Sequence, residues 1–130
     1  MKPGLLLDSC TFLWMLRTPD ELSSKARDAL VDPSRPLFLS VVSEWEMVLK
    51  AQAGRLPFPE PPAAYILRER LRHGIETLPL QEGALTHLSK LPDHHRDPFD
   101  RMLICQAIEH GLELVTSDRA IQLYPIRVLW

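Results

Sequence analysis

The spacing of apolar and polar positions changes period several times along the chain, and each change delimits an element. Leu5-Leu6-Leu7 is an apolar run with no polar alternation, which predicts a short strand over 4–8 buried on both faces. The period then turns helical. Phe12, Leu13 and Leu16 predict a helix over 9–17. Leu22, Ala26, Ala29 and Leu30 predict an amphipathic helix over 21–31, ended by Asp32-Pro33. Residues 36–41 read as a second strand, and a helix over 43–53 stops at Gly54. A proline-rich connector over 55–62 leads into a helix over 62–73, closed by Gly74. A strand over 75–80, a helix over 81–90 and a loop over 91–96 follow. Asp97 caps a helix that runs to His110 and ends at Gly111. A strand over 112–116, a short helix after Asp118 and a last strand over 126–130 complete the chain.

Strands alternate with helices throughout, so the expected fold class is α/β: a three-layer arrangement with a mostly parallel central sheet and helices on both faces. The 130 residues fit one domain, 1–130, with no repeat or low-complexity tract to divide it. An apolar share of 45% is enough for a real core. The 12 prolines gather at Pro33/Pro36 and Pro57/Pro59/Pro61/Pro62, where they punctuate elements. A net charge of −2 excludes a globally basic nucleic-acid binder, so contact with nucleic acid has to come from a local patch. Cys10 and Cys105 make neither a metal spacing nor a disulfide framework and read as free buried thiols. There is no signal-peptide pattern and no apolar run of membrane-spanning length, so the expectation is a soluble cytoplasmic protein without a membrane partner.

The acids add the chemistry. Asp8 ends the first strand, Asp118 follows the strand over 112–116, and Glu44, Glu46, Asp97 and Asp100 stand at helix starts. In a parallel sheet those places converge on the crevice at the carboxyl ends of the strands. Gathered carboxylates repel one another unless a divalent cation neutralises them, so the pattern points to a magnesium site and phosphoryl chemistry. Each acid also has an ordinary role. Asp8 and Asp118 can cap the helices that follow them. Asp97 stands before Pro98, the favoured first helical residue, and is a natural N-cap. Asp100 instead shares the stripe of Leu103, Ile104, Ala107 and Ile108 and belongs at the mouth end of a buried face. Glu44 and Glu46 flank Trp45, and periodicity alone does not choose between them.

Residues 6–9, 40–50 with 54–56, 94–104 and 114–118 with 128–130 together resemble a PIN domain, specifically the VapC-type toxins of toxin–antitoxin pairs. The His94-His95-Arg96-Asp97-Pro98-Phe99-Asp100-Arg101 stretch is the most specific of these, and the match spans nearly the whole chain in the family's order. The resemblance implies a magnesium- or manganese-dependent ribonuclease. It assigns the catalytic and metal-binding acids to Asp8, Glu46, Asp100 and Asp118, and places Thr116 and Ser117 among the small hydroxyl residues beside the last acid. Asp97, Arg101 and Glu44 are possible supporting residues. Two positions depart from the family's pattern: Glu44 is an extra acid beside the expected one, and Ile121 stands where an aromatic residue is common.

The resemblance further implies an RNA substrate, a VapB-type antitoxin as cognate partner, and a homodimer. Arg96, Arg101, Arg119 and Lys50 lie near the acids and are expected to supply a basic rim, with Arg101 pairing with a cleft carboxylate as the alternative. His94 and His95 are adjacent in a loop and are expected to face solvent or phosphate. Trp45, Leu56, Phe58, Tyr65, Ile66 and Leu67 surround the proline-rich connector and are the candidate antitoxin surface. The alternative function is a PIN-like module that binds RNA or protein without cutting. A haloacid-dehalogenase-like phosphatase would need an acid where Cys10 stands, a response-regulator receiver would need a lysine ending its last strand, and no glycine-rich dinucleotide fingerprint follows a strand.

Overall fold

A computed structural model describes residues 2–130. Its five strands form one parallel sheet in the order β3-β2-β1-β4-β5, with β1 at Leu5–Leu7, β2 at Leu37–Ser40, β3 at Glu76–Leu78, β4 at Glu113–Val115 and β5 at Val128–Leu129. β1 lies at the centre, and its three leucines are wholly excluded from solvent. Side chains alternate across a strand, so Leu5 and Leu7 enter one core and Leu6 the other. The first core takes Phe12 from α1 (Ser9–Arg17), Ala26 and Ala29 from α2 (Ser24–Leu30), Met47 from α3 (Val41–Gln52) and Ile66 from α4 (Pro62–Arg72). The second is filled by Leu103, Ile104 and Ala107 from α6 (Pro98–His110), with Ile121 and Tyr124. This is the three-layer α/β architecture expected from the alternating pattern.

The departures from the sequence expectation are local. α3 starts at Val41, two residues early, because the Ser40 hydroxyl accepts the Val42 N–H and serves as its N-cap. Ser23 caps α2 in the same way, so the expected helix over 21–31 splits into a 3₁₀ turn over Pro19–Glu21 and α2. The expected helix over 81–90 is only α5 (Glu82–Leu85) and a 3₁₀ turn over Leu88–Lys90. Gly83 weakens helix there, and the Thr86 hydroxyl donates to the Gly83 carbonyl. β3 ends before Pro79, which has no N–H to give a ladder. α6 runs as expected, from the Asp97 cap to Gly111 at φ 63°, a left-handed C-cap suited to glycine. Cys105 is buried, whereas Cys10 is exposed, contrary to expectation.

Two buried polar links tie the layers together. The Ser40 hydroxyl donates to the Gln106 side-chain oxygen, and the Gln106 amide donates to the Pro79 carbonyl, joining β2, α6 and the end of β3. At the amino edge of the sheet Arg35 reaches Glu113 at 2.6 Å and the Pro3 carbonyl at 3.0 Å. The opposite edge carries the acids. From β1 the chain builds outward to β2 and β3, then crosses back to place β4 on the other side of β1. The strand order therefore reverses between β1 and β4, the position where α/β sheets open a crevice at their carboxyl ends.

Candidate active site

Each acid reaches the crevice for a local reason. Asp8 leaves β1 in extended conformation and caps α1, its Oδ1 accepting the Thr11 N–H at 2.7 Å. α3 follows β2 directly, so its first turns lie at the same edge and bring Glu46 inward; Glu46 is buried. α6 runs back antiparallel to the strand it feeds, which puts its start, with Asp97 and Asp100, over the crevice. Asp118 follows β4, its Oδ1 accepting the Ala120 N–H at 2.8 Å.

The carboxylates crowd one another. Oxygens of Glu46, Asp97 and Asp100 lie within 4.8 Å of one another, as do ligand atoms of His95, Asp100 and Asp118, so Asp100 joins both groups. Burial, then repulsion from Asp97 and Glu46, pushes the Asp100 carboxyl up to about 7. Burial also raises Asp8, against hydrogen bonds from Thr116 and Thr11, and the Glu46 charge adds to the rise. The Ser9 hydroxyl donates to Glu46 Oε1 at 2.7 Å, and Lys50 Nζ stands 3.4 Å from Glu46 Oε2. The Thr116 hydroxyl also accepts the Asp118 N–H at 3.1 Å, linking the acids that follow β1 and β4. Ser117 is half-buried between Thr116 and Asp118. The donor set is almost entirely oxygen, which suits a hard divalent cation. The cluster could hold a metal ion, and one there would offset the charge that burial and crowding disfavour.

The four acids singled out from the resemblance thus lie at one edge of the sheet, and Asp97 joins them. Its Oδ1 caps α6 by accepting the Phe99 N–H at 2.9 Å, the role expected of it, while a carboxylate oxygen also lies within the Glu46–Asp100 group. Glu44 does not join. Positions two apart on a helix are about 200° apart in direction, so Glu44 turns away when Glu46 faces the cleft. Glu44 lines a groove between α3 and α4, 3.9 Å from Arg70 Nε, with its carboxyl raised by burial and partly restored by Arg70.

Arg101 takes neither expected role. It donates to the Pro92 carbonyl at 3.0 Å and to the Tyr124 hydroxyl at 3.2 Å, pinning the loop before α6. The cations beside the cleft are Lys50 and Arg96 together with Arg55, which lies in the matching stretch 54–56 but was not among the residues expected in the rim. With Glu46, Asp97 and Phe99 they line an open groove of about 600 Å³, acids at its floor and cations at its edge. Arg119 is exposed and does not line this groove.

His95 is the larger surprise. Rather than facing solvent, its Nε2 lies 3.1 Å from Asp100 Oδ2 and 3.0 Å from Asp118 Oδ2. Spacing gave no sign of this, because the loop over 91–96 has no period; the nearest cue is its place two residues before the cap of an acid-bearing helix. The supposed antitoxin surface also divides. Tyr65 and Ile66 are core, and Phe58 packs edge-on against Tyr65 beneath Arg17, whereas Trp45 is 58% and Leu67 50% exposed.

A profile of the PIN domain matches residues 5–126, and the chain belongs to that family. Among individual relatives, it is 29% identical over 119 residues to Ribonuclease VapC22 of Mycobacterium tuberculosis (strain ATCC 25618 / H37Rv), covering 91% of this chain and 89% of the relative. The fold is similar to that in the DNA-bound VapBC complex of Salmonella typhimurium, with TM-score 0.70, 19% identity and coverage of 98% of this chain and 97% of that one. It is also similar to VapBC2 of Rickettsia felis bound to a promoter DNA fragment, with TM-score 0.73, 11% identity and coverage of 95% and 96%. No helix among the described residues is long and apolar enough to cross a membrane.

Proposed function

We propose that this chain is a divalent-metal-dependent endoribonuclease and the toxin of a VapBC-type toxin–antitoxin pair. The observation that carries the reading is the crowding of Asp8, Glu46, Asp97 and Asp100 at the strand switch, with one of these carboxyls driven to about 7. A structural cap needs no such crowding. The relative named as a ribonuclease and the family match supply the reaction class.

In this reading Asp8, Glu46, Asp100 and Asp118 hold the ion, Mg²⁺ or Mn²⁺, and its waters. Bound there, the ion supplies an acidified water and charge stabilisation at the scissile phosphate. The chain's own residues do the rest. Ser9 fixes the Glu46 carboxylate by its 2.7 Å hydrogen bond, and Thr11 and Thr116 fix Asp8. Lys50, Arg55 and Arg96 bind the RNA backbone along the groove and offset the repulsion between its phosphates and the acids. Water attacks the phosphorus and the bond to the 3′ oxygen breaks, leaving a 5′-phosphate and a 3′-hydroxyl.

The partner reading rests on the solved neighbours being VapBC complexes. A protein surface for an antitoxin segment or a second copy is available along α3 and α4, where Trp45 and Leu67 border an apolar groove with Val41 and Val48. Cleavage of an RNA panel with Mg²⁺, with EDTA, and with Asp8→Asn tests the activity: cutting only by the wild-type chain with metal is expected. Equal cutting in all three would overturn it. Co-expression with a small antitoxin encoded beside this chain should give a stable complex with suppressed cleavage.

A further inference from the structure

The groove beside the acid cluster carries an apolar wall that phosphate binding does not explain. Glu46, Leu49, Lys50 and Ala53 recur at helical spacing, so one face of α3 and its cap brings an acid, a cation and two apolar side chains to the same groove. Pro98 and Phe99, at the start of α6, complete the wall. Leu49 is 40% exposed and Phe99 is half-buried. A groove that gripped only phosphates would need its cations and no more. A wall of this kind suits a ligand that alternates charge with flat apolar surface.

Phe99 is held as well as accessible. Its backbone N–H donates to Asp97 Oδ1 at 2.9 Å, which ties its place to the acid-bearing end of α6. Its ring meets that of Trp45 edge to face, with centroids 4.9 Å apart and planes at 70°. That is a preferred geometry for two aromatic rings, so Trp45 buttresses Phe99 from α3. Trp45 itself lines the separate groove between α3 and α4. Phe99 therefore adjoins Asp100 in sequence and lines the groove that Lys50, Arg55 and Arg96 edge.

We infer that Phe99 is a base-stacking residue that makes the site select single-stranded RNA. One unpaired base beside the scissile phosphate lies on its ring, next to Leu49, while Lys50, Arg55 and Arg96 hold the flanking phosphates. A base stands one sugar away from its phosphate, so a phosphate over the acids brings a neighbouring base to this wall. Bases within an RNA duplex are stacked on one another and do not reach it. Every base has a π-face, so the platform discriminates strand form rather than base identity. This rests on the ribonuclease reading above and adds to it the form of the RNA and the residue that reads it.

The test is binding of short, unstructured RNA of mixed sequence, read by fluorescence anisotropy in Mg²⁺. It uses the full chain carrying Asp8→Asn, so that the RNA stays intact, with folding of each variant checked by circular dichroism. This parent chain should bind the single strand roughly tenfold more tightly than an abasic strand of the same length, and more tightly than the matching duplex. Adding Phe99→Leu keeps an apolar side chain and removes the ring. It should weaken binding of the single strand roughly tenfold and leave the abasic strand and the salt slope unchanged, because no phosphate contact is lost. Phe99→Trp in its place should restore the affinity. A merely structural Phe99 would lower affinity for both strands together. Equal affinity of the parent chain for ordinary and abasic strands, or an unchanged single-strand affinity in the Phe99→Leu chain, would overturn the proposal and leave the wall to a protein partner. The first of these comparisons needs no Phe99 variant to fold. If the wild-type chain neither binds nor cuts any RNA in Mg²⁺, the ribonuclease reading itself fails and takes this inference with it.

Discussion

Replacing Asp100 by asparagine should make the metal-free protein more stable at pH 8 while destroying its activity. The folded state raises this carboxyl from 3.8 to about 7, chiefly through burial and then through the Asp97 and Glu46 charges. At about 1.4 kcal/mol for each tenfold change in the acid constant, ionised Asp100 destabilises the fold by on the order of 4 kcal/mol above pH 7. The sign follows from linkage. Below the unfolded value of 3.8 both states carry the proton, and stability is at its highest with respect to this group. As pH rises through the window from there to about 7, the unfolded chain gives up its proton first and stability falls. The asparagine of Asp100→Asn carries no charge in either state, so the variant should lack this slope. It would match wild type near pH 4 and exceed it by a few kcal/mol at pH 8, within the bound of about 4 kcal/mol. Urea unfolding in EDTA across that range measures the difference directly. Saturating Mg²⁺ should raise the wild-type midpoint more than that of Asp100→Asn, because binding to the native state stabilises it. A variant less stable than wild type at pH 8 in EDTA, or a difference that does not change with pH, would refute the account of a desolvated, crowded acid.

Further expectations follow from the same geometry. Asp8→Asn and Glu46→Gln should abolish cleavage with the fold intact, whereas Asp97→Asn should be milder, since asparagine caps α6 about as well; initial rates with Mg²⁺ and circular dichroism check this. Charge reversal at Lys50, Arg55 or Arg96 should weaken RNA binding and reduce the salt slope by about 0.7 for each phosphate no longer neutralised, whereas reversal at Arg119 should do less. Arg35→Ala breaks a largely buried pair at the far edge of the sheet and should lower stability by about 3 kcal/mol without changing cleavage per folded molecule, as read by urea unfolding and by rate.

The parts of the fold legible in the sequence were those with a strong period or a sharp stop. The uninterrupted leucines of β1, the Asp97-Pro98 start of α6 and the glycine after His110 each fixed an element closely. The failures came where one side chain bonded to the backbone. Ser40 moved the start of α3, Ser23 split a helix, and Thr86 with Gly83 broke the expected helix over 81–90 into short turns. In the site, helical direction placed Asp100 at the mouth of the buried face, as found, but gave no sign that Asp97, expected to cap α6, would also bring a carboxylate oxygen into the same group. The same reasoning left Glu44 and Glu46 unresolved, since each borders the apolar face, and tertiary placement against α4 decided between them. His95 was out of reach for a different reason. Its loop is held by Tyr124 and Arg101, partners distant in sequence or invisible to period, so nothing local indicated that its ring would enter the acid cluster.

The measurement that bears most directly on the central claim is the chemistry of the cut ends. If, as proposed, water attacks a phosphate held over the Asp8–Glu46–Asp100 cluster, RNA cleaved by the purified chain in Mg²⁺ should carry 5′-phosphate and 3′-hydroxyl termini. Termini of 2′,3′-cyclic phosphate and 5′-hydroxyl, formed equally well in EDTA, would show that the neighbouring 2′-hydroxyl attacks without a metal, and would contradict the account.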